Sequence, residues 1–304
     1  MEYRSRIIGL LRDRNFILTL ALLLGVFLGQ GANWTEPLVL PVLALVMMLS
    51  TTSVKGRLFR SPRGLLYPIL TGVTMSYIVQ GGSILLLIGL IPLEEALQTG
   101  FIILAAVPPA VGVIPFTGFL NGDVEFTLIG CLSCYLVAFI FTPLILFYFL
   151  GVSTDTQVKL FTTLVELIII PLVLSRVLVK TSVASKLEPI KGTIINWCFF
   201  LVVYTVVGLN QEIFLSQPAS LISAAIIALA TTFLLGTIID KVGLARRIDT
   251  KRVISMVLMG TSKNAGFAAG LALTLFSRKT ALPSAIQTIS MIAYIIYLDF
   301  RSQR

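Results

Sequence analysis

Apolar residues in this chain neither alternate nor keep to one helical face. They run on for the thickness of a bilayer at a time and are broken by short polar stretches. At about 1.5 Å of rise per residue, a hydrocarbon core of about 30 Å needs roughly 20 apolar positions. That measure predicts spans at about 16–31, 38–54, 65–91, 96–119, 126–150, 158–179, 194–209, 220–239, 250–276 and 281–297. Ahead of them, 1–15 sets Arg4, Arg6, Arg12 and Arg14 around Ile7, Ile8, Leu10 and Leu11, the make-up of a short amphipathic segment on a membrane surface. Ten spans divide into two fives, and an odd number makes the second five enter the membrane inverted. The expectation is an all-α membrane protein: ten transmembrane helices in one domain over 1–304, as two inverted five-helix repeats at about 15–151 and 156–300.

Such repeats place a site at the midplane, between helices that break at matching positions. Span four reads ILAAVPPAVGVIPFTGFLNGD, with Pro108, Pro109, Gly112 and Pro115 around its centre. Prolines so close together remove backbone donors and clash with preceding carbonyls, so a straight helix is disfavoured. Span nine carries Gly260, Thr261, Ser262, Lys263, Asn264 and Gly266 in a row, small or polar groups where a helix unwinds. Helices four and nine are therefore expected to break and cross. Lys263 falls near the middle of its span, where a lysine costs roughly 2.5–3.5 kcal/mol unless it meets a partner or water. Half-helix N-termini beside it would present orphan N–H groups and attract an anion.

Composition agrees with the pattern: 57% of residues are hydrophobic and 12% charged, with a mean hydropathy of +0.98. The net charge of +9 sits in loops, where it sets topology and argues against a nucleic-acid partner. With both termini inside, nineteen basic residues fall on inner segments, against Lys159, Arg278 and Lys279 outside. That bias predicts a multi-pass cell-membrane protein with cytoplasmic termini. Histidine is absent, which removes histidine relays and most zinc and haem ligation, so no metal or cofactor is expected. Cys131, Cys134 and Cys198 lie in apolar runs without metal or redox spacing and read as packing residues.

Glu166 is the one acidic residue deep inside a span. It either pairs with Lys263 at similar depth or is protonated and hydrogen-bonded in its bundle. Asp123 follows Gly122 at the start of span five and reads as a helix N-cap. An intramembrane aspartyl protease using Asp123 and Asp240 is disfavoured because both sit at helix ends.

The ten-span layout, LSTTSVKGRLF after span two, the Pro/Gly break ending in Gly122 and Asp123, IIIPLVL in span six and the Lys263–Asn264 step together resemble the bile acid:sodium symporter superfamily. The resemblance implies a core of spans three to five and eight to ten, and a panel of spans one, two, six and seven. It also implies a substrate cleft at the crossing of spans four and nine. Sodium-coupled members carry an Asn near the first break, and a Glu followed by a Gln–Asn pair in span nine. Here Ile114, Met259 and Lys263 stand at the Asn, Glu and Gln positions, and only Asn264 and, on span five, Thr127 are kept, with Cys131 at the other polar position. The usual sodium sites are thus absent or rebuilt, and Lys263 replaces a cation.

The functional expectation is secondary active transport of a small organic anion by alternating access, coupled to protons or uncoupled. Candidate substrate-binding residues are Lys263, Asn264, Ser262, Thr261, Pro109, Gly112 and Thr117. Candidate ion-coupling residues are Lys263, Glu166, Thr127 and Asn264. The alternatives are an intramembrane enzyme, an efflux carrier of related architecture, and a channel.

Overall fold

A computed structural model describes residues 9, 11–52, 62–110, 112–151, 153–216 and 221–302. In chain order its α-helices of six or more residues are α1 (Arg14–Phe27), α2 (Val39–Thr51), α3 (Pro62–Val73), α4 (Gly82–Leu90), α5 (Glu95–Ala106), α6 (Val113–Phe119), α7 (Val124–Leu150) and α8 (Thr154–Leu164). Then come α9 (Ile170–Val179), α10 (Ser182–Gly208), α11 (Gln211–Ser216), α12 (Ile222–Leu229), α13 (Leu235–Ala245), α14 (Thr250–Met259), α15 (Ala265–Leu275) and α16 (Leu282–Ser302). Wider π-helical turns at Thr74–Gly81, Val165–Ile169 and Ala230–Leu234 join α3 to α4, α8 to α9 and α12 to α13. Among the described residues, seven helical stretches are long and apolar enough to cross a membrane, and Phe16–Phe27, Glu95–Ala106 and Ala265–Leu275 are shorter apolar helices.

The chain divides into two compact units. The first comprises Met1–Ser53 and Thr163–Ala219. Within it α10 lies along α1 and α2, tied by bonds from apolar helix surfaces to exposed backbone. Tyr204 donates to the Leu28 carbonyl at 3.0 Å and Trp197 to the Leu11 carbonyl at 3.2 Å. The Arg176 guanidinium donates to the carbonyl of Thr51, the last residue of α2. Each such bond satisfies a carbonyl that the local helix leaves open.

The second unit comprises Val54–Thr162 and Ser220–Arg304. Here α3 crosses α7 so closely that a Cβ on Gly72 would stand 2.6 Å from the Cα of Gly130. Glycine at both positions is what lets the backbones meet, as small residues do between membrane helices. The interior belongs to the interrupted helices: from Gly100 every residue of α5 is buried, as are Ala265 and Phe267–Ala272 of α15. By contrast α7 turns Leu136, Ile140, Leu144 and Phe147 outward. A helix apolar all round, with one face uncovered by protein, suits lipid on that face.

Several expectations change. Span seven, expected at about 194–209, belongs to a helix that begins at Ser182, with a polar first part carrying Lys186 and Lys191. Span eight likewise runs on to Ala245, which puts Asp240 inside α13 rather than at its end. Glu166 lies in the π-helical turn of span six with its side chain uncovered by the protein. Depth along a helix does not fix the direction in which a side chain leaves it. Most of the surface segment at 1–15, and the basic loop at Lys55, Arg57 and Arg60, lie outside the described residues.

Candidate functional site

Both expected breaks are present, and the second unit contains them together. Span four stops being helical after Ala106 and resumes at Val113; span nine stops after Met259 and resumes at Ala265. The unwound segments pass antiparallel. Pro109 bridges Lys263, the Ala110 amide donates to the Ser262 carbonyl at 2.8 Å, and the Asn264 amide donates to the Pro108 carbonyl at 2.9 Å.

A proline-rich break frees carbonyls that lipid leaves unsatisfied, so each needs a donor. Here the carbonyls of five successive residues all have one. Ala105 accepts from Lys263 Nζ at 2.9 Å, Ala106 from Thr142 Oγ1 at 2.8 Å and Val107 from Lys263 Nζ at 2.8 Å. Pro108 accepts from the Asn264 amide, and Pro109 from the Tyr135 hydroxyl at 2.7 Å. The break is thus completed by its crossing partner and by α7.

Lys263 is 0% exposed. Its ammonium also reaches Ser76 Oγ at 3.3 Å and lies 4.6 Å from the centroid of the Tyr77 ring. Two carbonyls at the negative end of α5, a hydroxyl and an aromatic face are the surroundings that stabilise a cation. The Tyr77 hydroxyl donates to the Cys134 carbonyl at 3.0 Å, which holds the ring in place. The lysine therefore neither snorkels nor faces bulk water; it is bonded inside its own unit.

The other candidates fall around this centre. Asn264 caps α15, its side chain accepting from the Phe267 amide at 3.0 Å. Thr261 donates to the Val257 carbonyl at 2.7 Å, extending the end of α14. Thr117 and Thr127 meet, Oγ1 to Oγ1, at 3.1 Å, joining α6 to α7. Gly112 is the buried residue preceding α6. The Ser262 hydroxyl is buried with no hydrogen-bond partner, and so are both amide atoms of Gln80 and Gln287. Glu166 belongs to the other unit.

Asp123 caps α7 through the Phe126 amide at 3.0 Å, as its position predicts. Its backbone is also held to α14: its amide donates to the Lys251 carbonyl at 3.0 Å, and Ser255 Oγ donates to its carbonyl at 3.0 Å. Cys131 and Cys134 are buried free thiols, in keeping with packing.

Sequence reasoning missed Ser76, Tyr77, Gln80, Tyr135, Thr142 and Gln287. A signal was available in TMSYIVQGG, where Ser76 and Gln80 stand in an otherwise apolar span.

Helices of spanning length, with two opposed interruptions completed by each other, define a multi-pass membrane protein of the kind that moves solutes. Residues 47–297 match the model of the SBF-like CPA transporter family, and the chain belongs to that family, which is bile acid:sodium symporter-like. It is a family of transporters. No curated protein matches the chain.

Proposed function

We propose that this protein is a secondary transporter of a small organic anion, working by alternating access, in which the Lys263 ammonium stands where a coupling cation would otherwise bind. The observation that carries the reading is the oxygen cage around Lys263 Nζ, formed by Ala105 O, Val107 O and Ser76 Oγ. In carriers with discontinuous helices, unwound carbonyls and half-helix C-termini are what coordinate a sodium ion. A tethered ammonium in the same surroundings makes the mobile ion redundant, and Met259 adds no hard oxygen from its side chain. Transport is then driven by protons or runs uncoupled.

The choice of an anion rests on charge. The break segments 107–110 and 260–264 hold a lysine and no carboxylate. Asn264 heads α15, whose N-terminus favours negative charge. Ser262, whose buried hydroxyl has no partner, is the donor that a substrate carboxylate would satisfy.

Ten spans in two inverted repeats fit the same picture. The residue offset that carries Pro109 onto Lys263 also carries Asp123 onto Ser277, and both of these accept from the amide three residues on. It carries the π-helical turn at Thr74–Gly81 onto the one at Ala230–Leu234 as well. The two units hold the spans that a panel and a core would need.

The test is uptake of labelled organic anions into proteoliposomes with imposed sodium or pH gradients. Flux that ignores sodium and follows the pH gradient, or ignores both, is expected. Stimulation by a sodium gradient would overturn the tethered-cation reading.

A further inference from the structure

Within the second unit, away from the crossing strands, lies a cavity of about 200 Å³ lined by Leu120, Asp240, Leu244, Thr250, Ile254, Val257, Leu298 and Arg301. Its floor is buried Val257 and Leu120, and its mouth carries exposed Thr250, Leu244 and Arg301. Thr250, Ile254 and Val257 form one stripe of α14, and Leu120 follows the end of α6, so the cavity touches both interrupted helices.

An apolar cavity of about 150 Å³ stays dry and takes benzene, so this one has room for a short aliphatic chain. The mouth supplies the other half of a ligand. Arg301 Nη2 meets Asp240 Oδ2 at 2.6 Å, while the arginine side chain remains 50% exposed. A guanidinium carries five N–H donors, so this contact leaves donors available for a second carboxylate. Lys241, Arg246, Arg247 and Lys251 are exposed on the neighbouring helix ends and loop, where they outnumber Asp249, while Arg252 pairs with Asp123; the excess of positive charge favours an anion at that end of the unit.

We infer that this cavity is a binding site for a medium-chain aliphatic carboxylate, with the chain against Val257, Ile254, Leu244 and Leu298 and the carboxylate at Arg301. Occupancy wedges α14 against α13 and α16, and so biases the position of the half-helix that leads to Lys263. The site stands independently of the anion-transport reading, because its walls do not include the crossing strands.

The test uses the full chain in nanodiscs of zwitterionic lipid and a diazirine-bearing octanoate, with labelled peptides mapped by mass spectrometry. Labelling is expected within 240–257 and 298–301, displaced by excess octanoate and not by octyltrimethylammonium. Arg301→Gln removes a charge-assisted bond and is expected to weaken labelling about tenfold, the equivalent of roughly 1.4 kcal/mol. Arg301→Lys retains labelling, and Ile254→Phe, which fills the cavity, abolishes it. Arg301→Gln and Arg301→Lys lie at the surface and keep the test decisive if Ile254→Phe fails to fold. Labelling that excess octanoate does not displace, or that survives Arg301→Gln at full strength, would overturn the proposal. Neither result bears on anion flux under ion gradients, so the two readings fail separately.

Discussion

The ammonium of Lys263 lies 2.8 Å from the carbonyl oxygen of Val107, the first residue beyond the helical part of span four. One side chain thereby closes the break in a helix far from it in sequence and places a charge where the backbone is open. Two opposing terms follow. Burying a central lysine costs roughly 2.5–3.5 kcal/mol, whereas leaving the Ala105 and Val107 carbonyls without a donor costs about 1–3 kcal/mol each.

Lys263→Met removes the first cost, incurs the second by orphaning the Ala105 and Val107 carbonyls, and nearly keeps the length of the side chain. Because the two costs are of similar size, the variant is expected to unfold within a few degrees of the parent while losing uptake. Lys263→Arg keeps the charge but must fit a guanidinium where a Cβ on Gly81 would already lie 3.7 Å from Nζ. It is expected to be both less stable and inactive. Thermal unfolding in nanodiscs, read beside proteoliposome uptake, checks the pair; an active Arg variant would show that the cage does not discriminate shape.

Lys263→Ala leaves the Ala105, Val107 and Ser76 oxygens facing an unfilled space, and such a site suits a small cation. Sodium is expected to stabilise this variant and not the parent. At ten times its dissociation constant, a ligand adds about 1.4 kcal/mol. Unfolding midpoints in sodium chloride and choline chloride should therefore separate for Lys263→Ala and coincide for the parent. Coincidence in both proteins would argue against a cation site under the lysine.

The breaks were legible in the sequence because they are local chemistry: Pro108, Pro109 and Gly112 in one span and Gly260 to Asn264 in the other disfavour a helix whatever surrounds them. The Asp123 cap was legible for the same reason. The address of the lysine was not. Ser76 lies 187 positions away in the chain, and only packing of α3, α5 and α7 brings its hydroxyl, the Tyr77 ring and the α5 carbonyls to one point. For Glu166 the depth was readable, but its azimuth depends on which face of span six the neighbouring helices cover. Tyr135 and Thr142 look like ordinary span residues until the carbonyls they serve, Pro109 and Ala106, have been placed.

Tyr77 contributes a ring face to the ammonium and a hydroxyl to the Cys134 carbonyl, and two substitutions separate these. Tyr77→Phe loses one neutral hydrogen bond, worth about 0.5–1.5 kcal/mol, and is expected to transport nearly normally. Tyr77→Leu also loses a desolvated cation–π contact of about 2 kcal/mol and is expected to lose most uptake. Equal activity of the two variants would mean that the ring adds nothing to holding the ammonium.

Asn264 carries two assignments, helix cap and substrate contact, and they can be told apart. Its side chain accepts from the Phe267 amide at 3.0 Å while its own amide donates to the Pro108 carbonyl. Asn264→Ala keeps the backbone bond but orphans the Phe267 amide, at a cost of about 1–2 kcal/mol. Asn264→Ser restores a cap, because serine is nearly as good as asparagine at that position, yet it is shorter and lacks the carboxamide N–H donors that an anion would meet. The Ser variant is therefore expected to recover the parent's thermal stability while its half-saturating substrate concentration stays raised about tenfold, the loss of one charge-assisted bond. Recovery of both quantities in Asn264→Ser would reduce Asn264 to a cap and move substrate recognition to Ser262 and its neighbours on the crossing strand.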